Sequence, residues 1–80
     1  MVYEMGCQPS NSGAIEIVVN GEARLAPAGQ TVLGLLEELH LDPARVAVEL
    51  DLRIVKRAEW GLLELAQGAR VEVVQFVGGG

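Results

Sequence analysis

Apolar and polar positions alternate from Ile15 to Val19: Ile15, Ile17 and Val19 fall on one side of an extended chain, Glu16 and Val18 on the other. Asn20-Gly21 follows, the strongest short signal for a hairpin, and a second strand is predicted over about Ala23–Pro27. A strict two-residue loop would set Val19 opposite Glu22 on the core face. One extra loop residue sets it opposite Ala23 and keeps Leu25 inward, so a bulged loop is expected. Ala28-Gly29-Gln30 turns the chain and Thr31 can cap a helix, in which Val32, Leu33, Leu35, Leu36 and Leu39 recur at helical spacing. His40 falls at the end of that helix, where the negative end of the dipole favours an imidazolium and where His tolerates a left-handed backbone. Asp42-Pro43 stops the helix. Val46, Val48 and Leu50 alternate as a third strand, and a short extended piece at Arg53–Lys56 turns back on it at Asp51-Leu52. In residues 57–65, RAEWGLLEL, Trp60 reads as a hydrophobic anchor, and Leu62, Leu63 and Leu65 as a connection folded over the edge of the core. Gln67-Gly68 then leads into a last strand, Arg70 to about Phe76.

Strand, strand, helix, strand, short strand, irregular turn and strand make an α+β chain in which one main helix covers one face of a mixed sheet of four to five strands. Because the two hairpin-like halves are joined through the helix, the first and last strands are expected side by side and parallel at the centre, a ubiquitin-like β-grasp arrangement. Residues 1–13, MVYEMGCQPSNSG, show neither period and end in a turn-rich cluster, so they are expected as a disordered leader. The folded domain is then 14–77 and the glycines 78–80 form a flexible tail.

Eighty residues allow one domain with a small core. A net charge of −5, with no basic run beyond Lys56-Arg57, argues against nucleic-acid binding. No apolar run approaches the ~20 residues of a membrane span, and a cytoplasmic setting is expected. The single cysteine, Cys7, has no internal disulfide partner and no basic neighbour in sequence to activate it. The single histidine has no second ligand for a metal, so no metal site is expected. Glu37-Glu38 reads as a solvated helix face, and Gly29, Gly34 and Gly68 have no phosphate-loop spacing. Neither a catalytic residue nor a bound cofactor emerges.

The feature left over is the ending QFVGGG, residues 75–80. Glycines have no Cβ to collide with the walls of a channel and accept whatever backbone a partner imposes. Four residues beyond Phe76 extend about 13 to 14 Å, enough to carry a terminal carboxylate into another protein's enclosed site. Ordering such a tail costs roughly 1 to 2 kcal/mol per residue, so the folded body must offer a docking surface. With Ile15, Ile17, Val19, Val71 and Val73 facing the helix, Val18, Val74 and Phe76 emerge on the opposite face as a candidate apolar patch.

The segments IEIVVNGE, PAGQTVLGLLEEL, VAVEL, RAEW and RVEVVQFVGGG resemble the ThiS family, the ubiquitin-like sulfur carriers of thiamin thiazole synthesis. Asp51-Leu52-Arg53 stands where the family commonly has an Asn-Gly type turn. The resemblance implies that Gly80 bears first an acyl adenylate and then a thiocarboxylate, and that Phe76, Val77, Gly78 and Gly79 form the tail entering partners. It further implies a ThiF-like adenylating enzyme that uses ATP, a sulfur donor such as a cysteine desulfurase, and a ThiG-like thiazole synthase as acceptor. A terminal Gly-Gly is also expected of the related carriers for molybdopterin synthesis and tRNA thiolation, and the FVGGG ending favours the thiamin family among them. A ubiquitin-like modifier of lysines and a plain interaction module are the other classes open.

Overall fold

A computed structural model describes residues 9–76. Its strands are β1 (Pro9–Val19), β2 (Glu22–Pro27), β3 (Val46–Leu50), β4 (Arg53–Val55) and β5 (Arg70–Gln75), with one helix, α1 (Val32–Glu38). They form a five-stranded sheet in the order β2-β1-β5-β3-β4. β1 and β5 are parallel, with Val18 opposite Arg70 and Val19 opposite Val71; the other neighbours are antiparallel. This is the expected β-grasp arrangement. The sheet rungs begin at Ala14, opposite Pro27, but strand geometry reaches back to Pro9. Residues 9–13, expected in a leader, therefore continue β1; residues 1–8, Cys7 among them, lie outside the described residues.

The core is one cluster between α1 and the sheet. Ile17, Val32, Leu35, Leu36, Val48 and Val71 are fully buried, with Ile15, Leu39, Leu50 and Val73 packed around them. Thr31 caps α1 as expected, its Oγ1 accepting the Gly34 N–H at 3.0 Å. The helix ends in a Schellman motif. His40 is left-handed at φ 61°, its N–H donates to the Glu37 carbonyl, and the Leu41 N–H donates to that of Leu36, both at 3.0 Å.

The β1–β2 hairpin corrects the bulged loop. Val19 lies opposite Glu22 and Ile17 opposite Arg24, and Asn20 and Gly21 have φ of 50° and 84°. Two successive left-handed residues make a turn whose twist matches that of the strands it joins, so no extra residue is required. The core face of β2 is completed by Ala26 and the half-buried Arg24, whose alkyl stem can lie along apolar surface. Leu25, expected inward, is 69% exposed.

Asp51 and Leu52 form the same kind of turn without glycine, at φ 51° and 71°. Asp51 offsets the strain by binding the start of β5: its N–H donates to the Arg70 carbonyl at 2.8 Å, and its Oδ1 accepts the Arg70 N–H at 3.0 Å. Trp60 is the anchor expected, 2% exposed, with its indole N–H donating to the Val55 carbonyl at 3.0 Å. Leu65 is buried beside it and Leu63 half-buried, but Leu62 is 80% exposed. The Leu62 and Leu63 N–H groups both bond to the Glu59 carbonyl, a tight turn that leaves Leu62 outside while the chain comes back under α1.

Leu52 is 84% exposed, so its replacement removes backbone strain and almost no packing. Leu52→Gly should stabilise the fold by about 0.5–1 kcal/mol, read as a rise of several degrees in the thermal midpoint. A lower midpoint would contradict the strain argument.

Candidate functional site

β5 occupies the middle of the sheet, and its direction determines where the chain leaves the body. On the β3 side it is held by an antiparallel ladder from Leu50–Val71 to Val46–Gln75. One further bond, the Phe76 N–H to the Arg45 carbonyl at 2.8 Å, closes that side. On the β1 side the backbone rungs stop earlier. The N–H groups of Val18 and Asn20 donate to the carbonyls of Ala69 and Val71 at 2.9 and 2.8 Å, and β1 then turns away. There the Asn20 carboxamide takes over: its Oδ1 accepts the Val73 N–H at 2.7 Å, and its Nδ2 donates to the Val73 carbonyl at 3.3 Å. Sequence reasoning saw Asn20 only as a turn residue. Val77, Gly78, Gly79 and Gly80 lie outside the described residues.

The outer face of the sheet, away from α1, carries the proposed docking residues. Val74 and Phe76 are each 58% exposed. They are two apart on one strand and so share a face, with Ala47 opposite Val74. Val18 lies on the same face but is half-buried, opposite Ala23 and Arg70. The outward Arg70 and Glu72 precede Val74 along β5, so the structure joins Val74 to Phe76 and sets Val18 apart. Two exposed apolar residues on this face had not been singled out: Leu25, because the hairpin register differed, and Ile54, 79% exposed and opposite Glu49. Glu49 also faces Glu72. Among the described residues the one ion pair joins Arg45 to Asp42 at 3.7 Å, so neither of the two carboxylates is ion-paired there.

The other candidate chemistry stays dispersed. His40 is exposed at the helix end, and among the described residues no group of three or more His, Cys, Asp or Glu is placed to hold a metal. Among them, too, no helix is long and apolar enough to cross a membrane.

A β-grasp body that delivers its last strand through the centre of the sheet toward a glycine ending is the architecture of a ubiquitin-like carrier. The family model of the ThiS family matches residues 14–80. The sulfur carrier protein ThiS of Escherichia coli (strain K12) is 33% identical over 66 residues, covering 82% of this chain and all of that protein. A thiazole synthase of Paramagnetospirillum magneticum is 41% identical over 66 residues, and one of Magnetococcus marinus 42%. This chain spans 20% of the length of each of those two proteins. The crystal structure of the thiamine biosynthesis protein ThiS from Geobacter metallireducens superposes with a TM-score of 0.72 at 28% identity, over 82% of this chain and 100% of that one. The chain belongs to the ThiS family, the sulfur carriers of thiamine biosynthesis.

If Val74 and Phe76 serve a partner and not the fold, removing them should leave the body intact. Val74→Ser and Phe76→Ser should each change stability by less than about 1 kcal/mol, whereas Leu35→Ala, at a fully buried position, should cost about 2–5 kcal/mol. Urea unfolding of the three variants distinguishes the two kinds of position.

Proposed function

We propose that Gly80 is the residue on which sulfur is carried. The observation that carries this reading is the placement of β5. A central strand is bonded on both sides up to Val73 and on one side up to Phe76, four residues before Gly80, and the family match extends through Gly80. A carboxylate is a poor electrophile at neutral pH, and its activation needs a site that encloses it, excludes water and stabilises developing charge. The exposed Val74 and Phe76 support a face on which such a site could close.

In this reading a ThiF-like enzyme joins the Gly80 carboxylate to the α-phosphate of ATP with loss of pyrophosphate. A persulfide formed on a sulfur donor such as a cysteine desulfurase attacks the acyl carbon and displaces AMP, and a thiol then cleaves the resulting acyl disulfide, leaving the thiocarboxylate on Gly80 and the thiol sulfur in a disulfide. A ThiG-like thiazole synthase takes the sulfur; the two relatives named thiazole synthase, which hold a segment similar to this chain, support that acceptor over the molybdopterin and tRNA routes. Phe76, Val77, Gly78 and Gly79 enter the partner's channel, while Val74 and Phe76, with Val18 further along the face, meet its surface. The protein is a cosubstrate, not a catalyst, and works in the cytoplasm, beside ATP and reduced thiols.

Intact mass spectrometry tests the proposal. The 80-residue chain, incubated with ATP, an adenylating enzyme, a sulfur donor and a thiol reductant, should gain the mass difference between one sulfur and one oxygen. Adding thiazole synthase and its other substrates should reverse the gain. A mass that does not change, or that rises equally in a chain lacking Gly80, contradicts it.

A further inference from the structure

The Asn20 carboxamide stands where the parallel ladder runs out. Between parallel strands the hydrogen bonds are evenly spaced, and after Asn20 N–H to Val71 the next rung would join the Val73 N–H to the backbone carbonyl of Asn20. Asn20 is left-handed at φ 50° and its backbone turns into the hairpin, so that carbonyl is carried away from β5. The side chain replaces it. Oδ1 takes the Val73 N–H at 2.7 Å, and Nδ2 reaches the carbonyl of the same residue at 3.3 Å, so one amide satisfies the donor and acceptor that two residues of a continuing parallel strand would have satisfied. The pair is 53 positions apart in sequence, and Asn20 is exposed, so its side chain contributes little to the core. A two-residue turn of this type accepts Gly at the same position. The turn alone therefore does not call for a carboxamide; the contact with Val73 does.

We infer that Asn20 is a positioning residue for sulfur loading, which rests on the carrier reading above. It holds the outgoing strand on the side where β1 has ended, three residues before Phe76, while the Phe76–Arg45 bond holds the other side. With both in place the strand can leave the sheet in one direction. Without the Asn20 clamp the segment from Val73 onward is anchored on one edge only and samples several exit directions. The fraction of molecules whose terminus is aimed into the activating enzyme then falls, and a lower competent fraction weakens apparent affinity in proportion while leaving the bound complex unchanged.

The test compares the wild-type chain with Asn20→Gly, which keeps the left-handed turn and loses both bonds, and Asn20→Asp, which keeps an acceptor for the Val73 N–H and loses the donor. Hydrogen exchange of the Val73 amide, referenced to the Ile17 and Val48 amides of the core, should be about tenfold faster in Asn20→Gly, as for the loss of one hydrogen bond. In the ATP-dependent adenylation assay the KM for that variant should rise about three- to tenfold with kcat within about twofold of wild type. Asn20→Asp should keep most of the Val73 protection and show a smaller rise in KM. An unchanged Val73 exchange rate in Asn20→Gly, or faster exchange with an unchanged KM, overturns the assignment. So does a loss of kcat in step with a general loss of core protection, which marks a merely structural role. A wild-type chain that is not adenylated at all counts against the carrier reading, and the Val73 exchange rates still decide whether the clamp exists.

Discussion

The parallel pairing of β1 with β5 is the constraint on which the rest of the structure depends. It joins the first and last strands at the middle of the sheet, and the crossover through α1 is the connection that permits it. Closing a loop of about 50 residues costs roughly 3–4 kcal/mol in its length-dependent part. Burying an Ile or Val side chain contributes about 1.5–3 kcal/mol, so Ile17, Val19 and Val71, packed under α1 from these two strands, are enough to offset that cost. From this pairing follow the position of β5, the side of the sheet that α1 covers, and the end of the sheet at which β5 finishes.

The same pairing separates two roles within the strands. Inward residues of β1, β3 and β5 hold α1; outward residues of β5 and β3 present Val74, Phe76 and Ala47, with Glu49 and Glu72 beside them. Stability is thus carried by the inward positions and the proposed docking by the outward ones of the same segments, as the two-residue period of a strand allows. A surface built this way can change without changing the fold.

Most of the fold was legible in the chain, because its signals are local and strong: the alternation at Ile15–Val19, the Thr31 cap before a leucine-rich helix, His40 at a left-handed helix end, and Trp60 as an anchor. The hairpin register was misjudged because hydrophobic pattern and turn chemistry disagreed there. Leu25 argued for the core, Asn20-Gly21 argued for a tight turn, and the turn prevailed since Arg24 and Ala26 could complete the inner face. Leu62 was misplaced for a related reason, as leucines in a turn without a period do not announce which of them points out. At the site, the glycine ending and the exposed Val74 and Phe76 could be read from sequence. The separation of Val18 from them depends on which rows of two strands adjoin, and the Asn20–Val73 clamp on a contact between distant positions, neither of which a linear pattern encodes.

The central claim is that the body supplies the fold and the docking face, whereas the last glycines supply only the chemistry. A chain ending at Val77 tests it most directly, measured for its thermal midpoint and for sulfur loading in the same preparation. The account predicts a midpoint equal to that of the 80-residue chain and no thiocarboxylate; a depressed midpoint, or sulfur still loaded onto the shortened chain, would contradict it.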